Sequence, residues 1–292
     1  GRAEPDQVRD HSGVWLKGAN AGRLAGIAPI ILTEHGRAYP DPFASRLLDG
    51  LACRLSHRVV AVSSQLATQL QENLLVEPSK LRVIRNGIVV KPMPTSTQAQ
   101  LARTKLGLAS DTIVIGTVGR LEPIKAVGRL IKAFAAAREI MHNSAHDSVL
   151  LLIGDGSERK QLENEAVALG LGRSIRFLGK RGNVHELLGA MDMFVQTSMS
   201  EGTSLALLEA MASGTAVIAT AVGGTPEVLG LAPGGVLVPS GDHDALVQAL
   251  TRLSTQPELR KTFGRSGRAG VISHYSFEVM AEAYRKLYRE SL

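Results

Sequence analysis

The sequence has little cysteine and no long apolar segment, and each shortage excludes a class of protein. Its single cysteine, Cys53, rules out an intramolecular disulfide and a metal centre built from several cysteines, and it fits a reducing compartment. Cys53 lies in the apolar helical stretch Leu47–Leu55, where we expect a small buried hydrophobic side chain. No apolar run approaches the ~20 residues of a membrane-spanning helix, so we expect no such span.

Aromatic residues are also scarce, at 4% of the 292 residues. The net charge of +6 is spread along the chain rather than gathered into a basic stripe. This pattern argues against a nucleic-acid-binding protein, which would need stacking aromatics beside such a stripe. It suits smaller anionic partners, such as nucleotide diphosphates, or the acidic headgroups of a membrane surface. The composition is that of a globular protein, and the length favours two domains.

The pattern of the sequence predicts an α/β fold. Short strand-like runs alternate with helical patterns of roughly ten to seventeen residues, which is typical of βαβ units around a parallel sheet. The runs are apolar almost throughout, which indicates strands buried on both faces. The strands predicted before Asn86 are Pro29–Thr33, Val59–Ser63 and Leu81–Ile84, and the helices between them begin near Val14, Phe43 and Ser64.

A second and more regular set of elements follows a proline-rich boundary. Lys91–Thr97 has no periodicity and is interpreted as a hinge or linker. The strands predicted after it are Ile113–Val118, Val149–Ile153, Ile175–Leu178, Met193–Gln196, Ala216–Thr220 and Gly235–Val238. The closing helices are predicted at Asp242–Leu253, Pro257–Ser273 and Phe277–Arg289.

These two sets predict two Rossmann-like, doubly wound domains, covering residues 1–90 and 91–275. The first set has few strands for such a domain. The sequence also begins without methionine, and the polar stretch Gly1–Asp10 does not resemble a signal peptide. We therefore expect a piece of a longer protein, with the opening strands of its first domain missing.

A loop and helix after the strand Met193–Gln196 carry the first candidate site. In open α/β sheets, ligands bind beyond the carboxyl ends of the strands, where this loop lies. Gly202, Thr203 and Ser204 are predicted to present backbone N–H groups and a hydroxyl at the start of a helix that covers about Ser204–Ala212.

Two acids accompany that helix, with Glu201 just before it and Glu209 on its second turn. Carboxylates near a positive helix end stay ionised and accept hydrogen bonds from sugar hydroxyls. A solvated surface role would suit a single glutamate. Glu209, however, is flanked by apolar residues on a helix too apolar to face water all round, so we expect it to have a partner.

The segment Ile115–Lys125 supplies two cations. A buried strand ends at Gly119, Arg120 projects beyond it, and Lys125 is predicted to open the next helix. An arginine can bind two phosphate oxygens at once, while a lysine acts as a point charge. Together they can neutralise a departing diphosphate, a task that Mg²⁺ performs elsewhere. Taken alone, the pair could equally be solvated.

These segments resemble the GT4 family of retaining GT-B glycosyltransferases. The resemblance rests on Gly119-Arg120 with Lys125, on Glu201 and Glu209 eight positions apart, and on Gly223-Gly224-Thr225-Pro226-Glu227. It covers the chain from about Val14, and the block around the two glutamates is its most specific part. The resemblance implies a GT-B fold, in which two Rossmann-like domains face a cleft, with the first domain truncated here. It also implies that the final helix, residues 276–292, returns toward the first domain, docking an apolar face made of Phe277, Met280, Tyr284 and Leu287.

The resemblance also implies roles for individual residues. Arg120 and Lys125 would hold the diphosphate, Glu209 the ribose hydroxyls, and Glu201 would face the donor sugar. The amides of Gly202, Thr203, Ser204 and Leu205 would complete the phosphate and sugar contacts. The family often has a histidine after a first-domain strand, at the lip facing the donor sugar, and His35 fits that place. The catalytic group expected is therefore His35, Arg120, Lys125 and Glu201, and backbone near Gly179 would meet the base.

The implied reaction moves a sugar from a nucleotide-diphosphate sugar to a sugar or lipid-linked acceptor, with retention and without a metal or cofactor. Cell-envelope polysaccharide or glycolipid synthesis is the family's usual setting, in the cytoplasm or at the inner face of the membrane. Two departures stand out. Ala126 follows Lys125 where the family has glycine, and the family's first glycine-rich loop has no counterpart here.

Other enzyme classes fit the sequence poorly. A metal-dependent GT-A enzyme needs an Asp-x-Asp after a strand, but Asp242-His243-Asp244 starts a helix, and Asp242 is expected to cap it. A nicotinamide dehydrogenase needs a third glycine after Gly154-x-Gly156. A nucleotide-sugar epimerase with a GT-B fold and a non-catalytic binding module remain open.

Overall fold

A computed structural model of the chain describes residues 8–11, 15–36, 43–143 and 147–291. These residues divide into two compact units. Unit 1 contains the described residues up to Gly87, the short segment Glu201–Thr203 and the chain from Tyr275 onward. Unit 2 contains the described residues of Ile88–Ser200 and Ser204–His274. Val14, the predicted start of the first helix, lies outside the described residues.

The elements in these ranges alternate between strand and helix for most of the chain. The strands are β1 Val8–His11, β2 Ile30–Glu34, β3 Arg58–Ala61, β4 Leu81–Val83, β5 Ile113–Val118, β6 Ser148–Ile153, β7 Ile175–Gly179, β8 Met193–Gln196, β9 Ala216–Thr220 and β10 Gly235–Val238. The α-helices are α1 Trp15–Leu24, α2 Phe43–Leu55, α3 Ser64–Leu74, α4 Ser96–Lys105, α5 Val127–Asn143, α6 Arg159–Ala168, α7 Val184–Ala190, α8 Leu205–Ala212, α9 Thr225–Leu231, α10 His243–Thr255, α11 Pro257–Tyr275 and α12 Phe277–Ser291.

The described strands of unit 1 form a parallel sheet in the order β1-β2-β3-β4. Alternate side chains of β2 face opposite sides of the sheet, as the period of two in a strand requires. Ile30 and Leu32 join a core with Trp15 and the helices α1, α2 and α3, whereas Ile31 faces Tyr284 of α12. Every residue of β2 is buried, which confirms the expected two-sided covering.

Helix α12 packs on the unit 1 sheet through part of the predicted apolar face. Tyr284 and Leu287 are buried against the sheet, with Met280 beside them. Phe277 is 47% exposed, so its place in that face was wrong. As the first residue of the helix, Phe277 lies one turn before the part that packs on the sheet.

The described strands of unit 2 form a six-stranded parallel sheet in the order β10-β9-β8-β5-β6-β7. In chain order, β6 and β7 lie to one side of the first strand, β5. The next three strands, β8, β9 and β10, lie to its other side. The strand order therefore reverses between β5 and β8. Such a reversal creates a crevice at the carboxyl ends of the two strands, where doubly wound folds bind their ligands.

One face of the unit 2 sheet is covered by α5, α6 and α10. Their apolar residues form a single core with the sheet, centred on buried side chains such as Ile115, Phe134 and Leu250. The strands are apolar because both faces are covered, and this is why their positions could be predicted. The predicted α/β class with parallel sheets is confirmed.

Two elements were not predicted. Strand β1 is largely polar, and it forms through parallel pairing with β2, from Val8 opposite Ile30 to His11 opposite Thr33. Helix α4 begins inside the segment Lys91–Thr97 that was interpreted as a linker, with Thr95 and Gln98 forming a capping box. Both arise from contacts that the sequence pattern does not show.

Tertiary contacts anchor α4 and the segment before it to unit 2. Arg103 of α4 donates to the Asp192 carboxylate at 2.7 Å and to the Ala190 carbonyl at 3.0 Å. Pro94 lies so close to Gly189 that a Cβ on that glycine would be 2.6 Å from the proline ring. The segment is therefore anchored within unit 2 at Pro94 and through α4, although six of its seven residues are exposed.

Candidate functional site

Two of the predicted segments follow the strands at which the sheet order reverses. Gly119, Arg120 and Lys125 follow β5, and Glu201 to Leu205 follow β8. Because β5 and β8 are parallel neighbours, their carboxyl ends lie at the same edge of the sheet. The fold therefore brings the loop after β5 and the start of the loop after β8 to the crevice where ligands of doubly wound sheets bind.

The loop after β5 is exposed at Arg120 and half-buried at Lys125. Gly119 has a φ of +159°, close to extended backbone, so it needs no left-handed conformation. Lys125 ends a single 3₁₀ turn, Pro123–Lys125, and α5 begins at Val127. The prediction that Lys125 opens the helix was wrong, because a turn of a different type lies between strand and helix.

Ala126 separates that turn from α5 and has a left-handed backbone, with φ of 49° and ψ of 40°. An L-residue is strained in this region, whereas glycine is not. This explains why the family prefers glycine at this place. Alanine adopts the same turn here at an energetic cost.

The loop after β5 rests on the loop after β6. Gly154 and Gly156 pack against the backbone of Gly119 and Leu121, where a Cβ on either glycine would overlap a carbonyl oxygen. The N–H of Leu121 donates to the Asp155 carbonyl at 3.0 Å. These glycines therefore allow close packing of the two loops.

Glu122 lies between the two predicted cations and is bound to that neighbouring loop. Its carboxylate accepts hydrogen bonds from the Ser157 hydroxyl at 2.7 Å and the Ser157 N–H at 3.1 Å. These bonds, with a smaller contribution from Arg120, hold the pKa of Glu122 below its usual range. Within the described chain, the Arg120 guanidinium forms no ion pair or hydrogen bond. It is available to an anionic ligand.

Hydrogen bonds join the loop after β5 to the loop after β8. The Thr197 hydroxyl donates to the carbonyls of Lys125 and Ala126, at 3.1 Å each. The N–H of Met199 donates to the Ile124 carbonyl at 2.8 Å. The backbone that carries Lys125 is therefore fixed to the start of the segment that leads to Glu201.

Helix α8 begins where the sequence predicts it. Ser204 is its N-cap, and the Ser204 hydroxyl accepts the N–H of Leu207 at 3.3 Å. Leu205, the first residue of the helix, is 50% exposed. Five of the eight residues are buried, and Leu205 and Glu209 lie on the exposed side.

Glu209 faces a cavity of about 230 Å³ rather than the apolar side of its helix. The cavity is lined by Ile88, Val89, Lys91, Gly182, Val184, His185, Leu188, Glu209, Ala212 and Ser213. Burial raises the pKa of the Glu209 carboxyl, and the nearby charges of Lys91 and His185 act in the opposite direction. Glu209 thus shares a cavity with Lys91 and His185, and its carboxyl is easier to protonate than that of an ordinary glutamate.

Lys91 and His185 were not predicted from the sequence. Lys91 lies in the segment taken for a linker, and His185 is the second residue of α7. The His185 ring hydrogen-bonds the Pro92 carbonyl at 3.1 Å and the Ser213 hydroxyl at 3.3 Å. No motif signals either residue, because only the packing of the segment before α4 brings them beside Glu209.

The remaining predicted residues lie in unit 1. His35 is exposed just after β2, and Gly36 next to it has a φ of +115°. Gly202 lies against this segment so tightly that a Cβ on it would be 1.9 Å from the His35 carbonyl oxygen. The Thr203 hydroxyl donates to the Val62 carbonyl at 3.1 Å. Glu201, Gly202 and Thr203 are therefore held within unit 1, beside the backbone of His35.

The structure also tests the expectations for Cys53 and Asp242. Cys53 is buried, at 3% exposure, as a small hydrophobic side chain. Asp242 caps α10 by accepting the Ala245 N–H at 2.9 Å, as predicted for that acid. Among the described residues, no three His, Cys, Asp or Glu side chains are grouped as metal ligands would be. No helix in the described ranges is long and apolar enough to cross a bilayer.

Two family models match the chain, and together they span most of it. The model described as "Glycosyl transferases group 1" matches residues 98–270. The model described as "Glycosyltransferase Family 4" matches residues 2–91.

Similar proteins of known activity cover most of the chain. One is the Escherichia coli UDP-Gal:alpha-D-GlcNAc-diphosphoundecaprenol alpha-1,3-galactosyltransferase, 28% identical over 97% of this chain and 75% of the relative. Another is N-acetyl-alpha-D-glucosaminyl L-malate synthase of Bacillus anthracis, 30% identical over 90% of this chain and 68% of the relative.

Solved structures with the same fold include a sucrose-phosphate synthase from Thermosynechococcus elongatus. It aligns with a TM-score of 0.83 at 25% identity, over 98% of this chain and 73% of that protein. HepE of Anabaena, solved with UDP and glucose, aligns with a TM-score of 0.87 at 22% identity, over 97% of this chain and 78% of that protein.

Proposed function

This chain belongs to the glycosyl transferases group 1 family, and from that premise we propose that it moves a sugar from a nucleotide-diphosphate sugar to an acceptor hydroxyl with retention. It is a glycosyltransferase with a GT-B fold, as the sequence resemblance implied. The observation that carries the proposal is the pairing of the loops after β5 and β8 at the point where the strand order reverses. There, Arg120 lies free of ion pairs among the described residues, in a loop that Thr197 joins to the next.

In the proposed reaction, the bond from the anomeric carbon to the phosphate oxygen breaks while the bond to the acceptor oxygen forms on the same face. The departing phosphate oxygen takes the acceptor proton. Arg120 and Lys125 stabilise the negative charge that develops on the diphosphate, and no metal ion is needed for this. Preorganised charges of this kind stabilise the transition state more than the ground state.

The cavity beside Glu209 is the proposed site for the nucleoside. An ionised carboxylate accepts two ribose hydroxyls, and the apolar residues Val89, Val184 and Leu188 suit the faces of a base. The electrostatic effect of Lys91 and His185 on Glu209 favours its ionised form and opposes the effect of burial. A UDP sugar is the first donor to test, because the name of the E. coli relative specifies UDP-Gal.

Glu201 and His35 keep their proposed roles toward the donor sugar. The close packing of Gly202 on the His35 backbone supports a shared role within unit 1. Glu201 would accept sugar hydroxyls, and His35 would contact the sugar or its developing charge rather than attack it. The amides of Gly202, Thr203 and Leu205 would donate to the sugar and phosphate oxygens.

Calorimetry against UDP, GDP and ADP, paired with turnover of the matching sugar donors, tests the function. Transfer predicts tight binding of one nucleotide, and its release together with a glycosylated acceptor. Binding without release in the presence of acceptors would instead identify a non-catalytic module. Release followed by isomerised sugar, with no glycosylated product, would identify an epimerase.

We further propose a lipid-linked acceptor and peripheral membrane contact at the cytoplasmic face, as in envelope polysaccharide synthesis. An exposed leucine patch on α2 and the end of α3 supports this, with Leu47, Leu48, Leu51 and Leu75 from 47% to 71% exposed. Arg46 and Arg54 line a groove of about 180 Å³ together with Leu47, Leu51 and Leu75. Apolar side chains beside cations are suited to the surface of an anionic bilayer.

Sedimentation with vesicles tests this contact. We expect binding to vesicles of anionic phosphatidylglycerol, weaker binding to phosphatidylcholine, and loss of binding in the variant Leu48→Ser/Leu51→Ser. Equal binding by the variant, or none by the wild type, would refute the membrane contact and leave the transfer reaction unaffected.

A further inference from the structure

A second cavity in unit 2 lies outside the residues assigned so far, and we call it the α5–α10 cavity. It has a volume of about 400 Å³, larger than the cavity beside Glu209. It opens between the first turns of α5 and α10, at the carboxyl ends of β8, β9 and β10. The residues that line the α5–α10 cavity do not include Arg120, Lys125 or Glu209. Its size is that of a site for a small molecule.

Two threonine hydroxyls lie in the wall of the α5–α10 cavity. Thr197 and Thr220 are 4% and 3% exposed. The Thr197 hydroxyl donates its hydrogen to the carbonyls of Lys125 and Ala126. The Thr220 hydroxyl donates to the Ser198 carbonyl at 2.6 Å. Because each hydroxyl hydrogen already forms a hydrogen bond within the protein, the two threonine oxygens can only accept hydrogen bonds from a ligand. The cavity is therefore matched to a molecule that brings hydroxyl donors.

The cationic residues of the cavity favour a negatively charged group on the ligand. Arg129 and Lys132 lie one turn apart on α5, and Lys132 pairs with Glu165 at 3.2 Å. Arg129 forms no ion pair with any residue in the described ranges. The one acid of the lining, Asp242, is engaged in capping α10. A free guanidinium at a cavity mouth favours a phosphate group, which it can bind through two hydrogen bonds.

Gly241 and His243 also line the α5–α10 cavity. The rest of its wall is an apolar surface formed by Val238, Pro239 and Leu246. Such a surface suits the C–H face of a sugar ring. The cavity therefore fits a ligand with three features: a phosphate that binds Arg129, hydroxyl groups that donate to the threonines, and a partly apolar ring.

We propose that the α5–α10 cavity binds a sugar phosphate, at a site separate from that of the nucleotide. The phosphate lies on Arg129, assisted by Lys132, and the ring hydroxyls donate to Thr197 and Thr220. The separation follows from the lining, which shares no side chain with the cavity beside Glu209.

Calorimetry with glucose 6-phosphate on the full chain tests the proposal. We expect saturable binding that persists when UDP is present at saturation, and weaker binding of free glucose and of inorganic phosphate. Arg129→Ala should weaken the binding by about tenfold or more, because a charged hydrogen-bonded pair is lost. Arg252→Ala, an exposed arginine on α10 outside the cavity, is the matched control and should bind as the wild type does.

Several outcomes would overturn the proposal. These are an absence of saturable binding, displacement by UDP, inorganic phosphate binding as tightly as the ester, and full binding by Arg129→Ala. Thermal unfolding of both variants shows whether the fold is kept. Because Arg129 is exposed, we expect no change in the unfolding temperature.

Discussion

The loop after β5 and the loop after β8 both carry predicted substrate residues, but they are held in different ways. The contacts described for the first loop lie within unit 2, on the loop after β6 and on Thr197. The second starts and ends in unit 2, yet its middle residues, Glu201–Thr203, belong to unit 1 and bond to Val62 there. The positions of the two cations are therefore a property of one unit, whereas that of Glu201 depends on the other.

This difference separates two parts of the proposed site. The cations of the first loop are set by strand order and local hydrogen bonds, which survive as long as unit 2 is folded. Glu201 and the amides beside it are set by the packing of Gly202 on unit 1. Substitutions in the two loops should thus have different consequences for turnover, affinity and stability.

The largest effect is expected from the cations. Arg120→Ala or Lys125→Ala should lower kcat by about 10²–10³, because a preorganised positive charge on the leaving diphosphate is lost. The unfolding temperature of Arg120→Ala should be unchanged, since Arg120 is exposed. Steady-state kinetics measures this, and Arg173→Ala, an exposed arginine just before β7, is the control. An unchanged kcat in both cation variants would remove the diphosphate assignment.

A substantial but smaller effect is expected in the second loop. Gly202→Ala places a Cβ where the His35 carbonyl lies, so the backbone of one segment must move. We expect turnover to fall by about tenfold or more, because a displacement of about 1 Å in a site costs up to 10². Nucleotide affinity should change less, since Glu209 lies in unit 2. Gly230→Ala, where a Cβ meets nothing within 4 Å, is the control. Wild-type turnover by Gly202→Ala would show that this packing does not set the site.

Glu209 should affect affinity rather than chemistry. Glu209→Gln should weaken nucleotide binding by about tenfold near neutral pH, because hydrogen bonds to a charged acceptor are replaced by weaker ones. Burial raises the pKa of Glu209 above its ordinary 4.5, so the wild type should lose affinity as the pH falls through that raised value. Calorimetry from pH 8 to pH 5 on both proteins isolates this effect, since other groups titrate equally in each. Parallel pH profiles would refute the ribose role.

The smallest effect concerns backbone strain beside Lys125. Ala126→Gly should stabilise the fold by about 0.5–1 kcal/mol, because the left-handed backbone no longer strains a Cβ. Leu75, the left-handed C-cap of α3 in unit 1, is the matched case, and Leu75→Gly should give a similar gain. Turnover should be kept in Ala126→Gly, since Thr197 holds the carbonyls at Lys125 and Ala126. Urea unfolding measures the gains, and a loss of stability in Ala126→Gly would contradict the account.

Much of unit 2 could be predicted from the sequence because its strands are buried on both faces. Ile113–Val118 and Ala216–Thr220 are apolar runs that end at clear breaks, and the structure has them at the same bounds. Strand β1 and helix α4 could not be predicted, because pairing with β2 and the anchoring of Arg103 form them. Their own sequences carry little periodicity.

The candidate site was predictable only where its residues follow strands directly. Arg120 comes two residues after β5, so strand order alone places it at the carboxyl edge of the unit 2 sheet. Lys91 and His185 reach Glu209 through the packing of an irregular segment, which has no sequence pattern. Nor could the sequence show that Glu201–Thr203 is held by unit 1, since that depends on backbone contacts with His35 and Val62.

A crystal structure of this chain with bound UDP tests the central claim most directly. We expect the diphosphate within hydrogen-bond distance of Arg120 and Lys125, and the ribose hydroxyls on the Glu209 carboxylate. A nucleotide found in the α5–α10 cavity, or bound without contact to either cation, would contradict it.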